Sequence, residues 1–347
     1  MRGPRTRPAS IISPIVDFLC VGGLSLIVLV PLLLSGETEL GFLNIGWLLW
    51  AQALVNYSHF MASYRIIYRD REMIRRHQWA AIWVPLIMLV LLVIAVVTAE
   101  QSKMLLIAFF AVASAYLAWH YTGQVWGMMA SYAHLGGVKF EKIERLLLRT
   151  SLRILLVWHV MWFLHTAVRD PASVDPLYRL MGEATVLAFA IGAAGLWMLR
   201  RRTGQLPPTR AVVAWVAIFA WYAALARWGL PALLLIQLFH AIQYLEFPAR
   251  VELNRVARKP TGRIASHFAA YIALLLVASV AVLLVVPGPA MSVVANLLGA
   301  PPTTVAPVLI LYFINIHHYF TDGVVWKISD PHVRKELFAH VPRSRVA

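Results

Sequence analysis

One cysteine, Cys20, stands in 347 residues. That count excludes an internal disulfide and a thiolate metal cluster. Charge is scarce too: only 14% of residues are Asp, Glu, Lys or Arg, against 60% hydrophobic residues and a mean hydropathy of +0.70. Such a balance excludes a soluble globular domain and describes a polytopic membrane protein. Acids are the scarcer sign, 16 against 31 bases, for a net charge of +15. The sequence has no GxSxG and no GxxxxGK[ST], so nucleophile-elbow hydrolysis and P-loop phosphate binding have no footing.

Present instead are long apolar runs. A bilayer core takes roughly 20 apolar residues per helix. Runs of that order fall at residues 11–35, 41–64, 79–99, 104–129, 154–168, 184–199, 211–226, 230–247, 264–286 and 304–326. The expected fold is all-α, a single bundle of about ten transmembrane helices filling the chain. The start MRGPRTRP is basic and precedes a long apolar run, which reads as a retained first helix rather than a cleaved signal. Gly229, Pro231, Pro287, Gly288, Pro289, Pro301 and Pro302 punctuate the later runs. The stretch 139–153 (KFEKIERLLLRTSLR) mixes leucines and charges at helical spacing and reads as a short interfacial helix.

Basic residues orient the bundle. With the N-terminus in the cytoplasm and ten alternating spans, all of the 31 bases except Lys103, Arg169, Arg179 and Arg227 fall on the cytoplasmic side. Both termini are then cytoplasmic, in a membrane of the bacterial inner-membrane kind. The positive loops meet anionic headgroups, so the charge implies lipid contact and not nucleic acid.

Four histidines interrupt the apolar runs: His59 (NYSHFMAS), His120 (WHYTGQVWG), His240 (QLFHAIQYLE) and His318 (NIHHYFTDG). Ionisable groups inside a bilayer are costly and usually face the protein interior, where they carry function. At 1.5 Å per residue, His59, His240 and His318 lie about 9, 15 and 14 Å before Arg65, Arg250 and Lys327, one layer in the cytoplasmic third. His120 lies about 28 Å before Lys139 on a straight helix; a kink near Gly123, or a helix projecting past the membrane, would bring it into that layer. Four such imidazoles are expected to converge on one metal ion, within about 5 Å of a point. His317 adjoins His318 but points roughly 100° away; it is the fifth candidate ligand.

Polar neighbours one helical turn away can orient the ligands. They include Asn56 and Ser63, Gln124, Gln237, Gln243 and Tyr244, and Asn315 and Asp322. Asp322 is the first candidate for an extra or supporting ligand, with Glu246 and Asp17 behind it. Gln124 and Gln243 would orient ligands or bind substrate. Imidazoles with carboxylates and no thiolate favour non-haem iron, with zinc or manganese as alternatives.

The strings HHYFTDG and HYTGQVWG resemble the His-then-polar motifs of the bacterial Brp/Blh-type β-carotene dioxygenases. The resemblance implies a polytopic membrane enzyme whose four-histidine iron site, here His59, His120, His240 and His318, oxygenates a lipid-soluble, isoprenoid or carotenoid-like substrate. A redox partner is a further expectation. Membrane desaturases use HxxxH and HxxHH boxes, which are missing; the pair His317–His318 does not supply them. Two alternatives remain open on the residues alone. Intramembrane His, Asp and Glu also serve transporters and proton-coupled carriers. Haem b electron transfer needs histidines on facing helices, and His120 and His134 have the four-turn spacing that stacked haems use.

Overall fold

The computed structural model describes residues 10–40, 45–98, 101–102, 104–167, 170–205, 207–258, 263–285, 305–328 and 330–341. The edges of several expected spans (41–44, 99, 168, 286 and 304) lie outside the described residues, as do Pro287, Gly288, Pro289, Pro301, Pro302, Lys103, Arg169 and the bases at 2, 5, 7, 259, 343 and 345.

Regular structure among the described residues is helical. In chain order the helices are α1 (Pro14–Leu34), α2 (45–67), α3 (Arg71–Arg76), α4 (79–97), α5 (Met104–Leu135), α6 (Lys142–Ala167), α7 (Asp175–Thr203), α8 (Thr209–Trp228), α9 (Leu230–Ala257), α10 (Ile264–Val285), α11 (Val305–Val325) and α12 (Pro331–Leu337). Counting described residues only, six are long and apolar enough to cross a membrane: α1, α6, α7, α8, α9 and α10, the last over Ile264–Val282; α4 holds a shorter apolar stretch, Trp79–Ala95. Large apolar side chains stand exposed along them, among them Val186, Leu187 and Trp197 on α7 and Leu274 and Val277 on α10. Surfaces of that kind belong against lipid tails rather than water.

The expected interfacial helix at 139–153 does not exist as a separate element. It is the first half of α6, one unbroken helix of 26 residues. Leu148, Leu152 and Leu155 continue in register into Trp158, His159 and Trp162, all buried on one face. No Gly or Pro intervenes to stop the helix. Its first turn is pinned by Glu144, whose carboxylate accepts from Arg202 Nε and Nη2 at 2.8 and 2.9 Å. Nor is α5 interrupted at Gly123. It is continuous over 32 residues, about 48 Å, against a hydrocarbon core of about 30 Å.

The chain divides into two compact units. One comprises residues 1–43, 118–250 and 334–347; the other comprises 44–117 and 251–333. The boundaries fall inside α5 and α9.

In the first unit α6 packs along α7, and α8 packs against α1. A widened, π-helical turn at Leu19–Gly23 kinks α1 and puts Gly22 at φ 145°, where a Cβ would stand 2.5 Å from that of Ala217. Glycine permits both the dihedral and the approach. Trp221 Nε1 then donates to Ser25 Oγ at 2.8 Å, and Ser25 Oγ donates to the Gly22 carbonyl at 2.7 Å, which fastens α8 to the bend.

In the second unit α2 packs against α10 and α11, and α11 against α4. Ser58 and Ser279 hydroxyls meet at 3.0 Å, and Tyr64 donates to the Ile314 carbonyl at 3.1 Å. Without a hydrophobic drive between lipid-facing helices, such polar contacts and close packing hold the bundle. At one end Arg76 closes on Asp330 at 2.7 Å. The backbone N–H of His332 and that guanidinium keep the Asp330 carboxyl below the usual carboxylate range.

Candidate metal centre

In the second unit, α2 and α11 bring His59 and His318 together. Their Nε2 atoms stand 3.0 Å apart, with ring planes at 87°. Both rings are buried, and Phe60 packs on each at centroid distances of 4.3 and 4.5 Å. Asp322, one turn beyond His318, places Oδ2 3.3 Å from His318 Nε2. Its other oxygen accepts from Ser63 Oγ at 2.7 Å. Ser63 sits one turn after His59, so both helices use i, i+4 spacing to deliver an imidazole and its support to one place.

Two imidazole nitrogens bound to one ion at about 2.1 Å, at right angles, stand about 3.0 Å apart. The His59–His318 separation matches that chord, and Asp322 adds an oxygen next to it. The same distance accommodates an N–H···N hydrogen bond when no ion is bound.

In the first unit, α5 and α9 place His120 Nε2 3.1 Å from His240 Nε2, with ring planes at 73°. Both are buried. The spacing is again that of neighbouring ligands on one ion. Gln124 Nε2 donates to the His240 carbonyl at 3.1 Å and to Gln243 Oε1 at 2.8 Å. Gln243 in turn donates to the Val21 carbonyl at 2.6 Å. Both glutamines therefore lock α9 to α5 and to the bend of α1, beneath His240. Tyr121 covers the His240 ring at 4.5 Å.

The remaining candidates go elsewhere. His317 turns from its neighbour: its Nε2 meets the Ala80 carbonyl at 3.0 Å and its ring stacks on Tyr64 at 5.1 Å. Glu246 accepts a short hydrogen bond from the Tyr132 hydroxyl. Asp17 is consumed by structure. It accepts the backbone N–H groups of Ile11, Ile12 and Ser13 at 2.8, 2.8 and 3.0 Å and pairs with Arg210 at 2.6 Å. That leaves it no role as a metal ligand.

Sequence reading passed over Tyr121. Its position next to His120 was the available signal, but adjacency on a helix points a side chain about 100° away; only the path of α9 brings it to His240. No family model, curated protein or solved structure matches this chain.

Proposed function

We propose that this protein is a membrane-embedded non-haem iron oxygenase acting on a lipid-soluble, isoprenoid or carotenoid-like substrate. The observation that carries the reading is the buried His59–His318 pair, 3.0 Å between Nε2 atoms, with Asp322 Oδ2 at 3.3 Å from the second. Two imidazoles and a carboxylate that leave other positions open form the donor set of non-haem iron oxygenases. His120 and His240 add a second imidazole pair at ligand spacing. Iron bound to such donors supplies the activation of dioxygen. The chain's own residues do the rest. Ser63 fixes the Asp322 carboxylate, Phe60 and Tyr121 keep the imidazoles dry, and Gln124 and Gln243 fix the backbone that presents His240. Zinc would suit the same donors but has no redox chemistry with which to activate dioxygen; manganese is the redox-active alternative to iron at such a site.

The setting belongs to the same proposal: ten spans, both termini in the cytoplasm, in a bacterial inner membrane, with a redox partner reaching the basic face. A fluorescent protein fused to each terminus reports that placement.

The test of function uses full-length protein in lipid nanodiscs, loaded with ferrous iron and given carotenoid and isoprenoid alcohol candidates under isotopically labelled dioxygen. Mass spectrometry should find label in a product with the unaltered protein and none with His318→Ala. Iron-loaded protein that labels no candidate, or labelling undiminished in His318→Ala, would defeat the proposal.

A further inference from the structure

Beyond the histidines, the first unit holds a buried polar pair that packing does not require. On α6 and α8, His159 Nδ1 lies 2.9 Å from the Tyr222 hydroxyl, and both residues are buried. His159 Nε2 has no hydrogen-bond partner among the described residues. Phenylalanine and leucine would fill the same volume without desolvating a hydroxyl and two ring nitrogens. The pair is therefore costly unless it has work to do.

Its neighbours are aromatic in both directions. Toward α9, His159 lies 5.9 Å from the Tyr121 ring, which covers His240 at 4.5 Å. Away from it, the Tyr222 ring is 5.4 Å from Trp158, and Trp158 is 6.1 Å from Tyr178. Tyr178 is part-exposed in the first turn of α7, directly after the loop that follows α6. Tyrosine and tryptophan are the side chains most readily oxidised by one electron without bond cleavage. A tyrosine gives up its electron far more easily when a base takes its proton at the same moment.

We propose that Tyr121, Tyr222, Trp158 and Tyr178 form a one-electron relay between the His120–His240 pair and the membrane edge, with His159 as the proton acceptor of Tyr222. A metal held by His120 and His240 would supply the oxidising equivalent, and Tyr121 passes one electron toward that pair. Tyr222 loses that electron, and its phenolic proton passes to His159 Nδ1. The neutral tyrosyl radical is refilled through Trp158 and Tyr178 by a one-electron donor in water, of the ascorbate class, and the proton returns from His159 to the phenolate oxygen. The donor is oxidised, the centre is reduced, and the relay ends unchanged. Its consequence is protection: an oxidising equivalent not spent on substrate leaves the ligand histidines. The inner end of this path rests on the metal reading of His120 and His240; the relay from the surface to Tyr222 does not.

The test therefore uses full-length, metal-free protein in nanodiscs. Flash-generated ruthenium(III) tris-bipyridine oxidises it from the water, and rapid-freeze paramagnetic resonance reads the radical. The relay predicts a neutral tyrosyl signal that is lost in Tyr222→Phe, delayed in Trp158→Phe, lowered in His159→Phe, and unchanged in Tyr312→Phe, a tyrosine on α11 of the second unit. A full tyrosyl signal in Tyr222→Phe, or oxidation that halts at surface residues in the unaltered protein, would overturn it. Tyr222→Phe keeps the ring and its packing, so a lost signal is not a lost fold. A radical on Tyr222 in a protein that never binds iron would uphold the relay and refute the metal reading; iron binding with no radical on Tyr222 would do the reverse.

Discussion

At the scale of single residues, an apolar run makes any ionisable side chain conspicuous, but it does not name that side chain's partner. The grouping of His59, His318 and Asp322 was legible because helical spacing carries a polar neighbour with each histidine: Ser63 and Asp322 each lie four residues past a histidine, and the two meet at 2.7 Å. Asp17 was equally conspicuous and was misjudged as a weak ligand. Its true partner, Arg210, lies 193 residues away and looked like one more base in a positive loop. The Asp17 side chain is fully buried and that of Arg210 nearly so, at 0% and 12% exposure. Breaking a buried pair strands the remaining charge, and here it would also strip three backbone N–H groups, a loss of about 3–5 kcal/mol. Asp17→Ala should accordingly lower the thermal unfolding midpoint in detergent sharply, whereas Asp70→Ala, at an exposed helix cap, should lower it little. Equal, small shifts in both would contradict the role given to Asp17.

At the scale of elements, hydropathy located the helices and misplaced their ends. Lys, Arg, Glu and Leu are all good helix formers, so a charged stretch can leave the bilayer without ending its helix. That is why 139–153 looked interfacial while α6 runs unbroken from Lys142 to Ala167, and why α7 extends well past its apolar window. The bend of α1 was not legible either, since Gly22 is dictated by its approach to Ala217 on a helix about 200 residues later. The six helices that are long and apolar enough to cross a membrane among the described residues leave the order of the full set to experiment. The proposed ten spans with a cytoplasmic N-terminus would place both termini in the cytoplasm, so green fluorescent protein, which does not fluoresce when exported unfolded through the general secretory route, should fluoresce at either terminus. Fluorescence at one terminus alone would require an odd number of spans.

At the scale of the whole molecule, the composition and the apolar helices describe a membrane protein, and each compact unit sets two buried histidines against each other. Each pair joins helices far apart in sequence, α2 with α11 and α5 with α9. Each sets Nε2 atoms at 3.0 or 3.1 Å, the chord of adjacent ligands on one ion. Sequence supplied the histidines; the pairing came from packing, which no local pattern encodes. The central claim is that these pairs hold iron without haem. Its most direct test is elemental analysis of protein purified in mild detergent from iron-replete cells, with an absorption spectrum of the same sample. The account predicts near-stoichiometric iron, no Soret band, and loss of the iron in His318→Ala and Asp322→Ala. Metal-free protein, or iron accompanied by a Soret band, would contradict it.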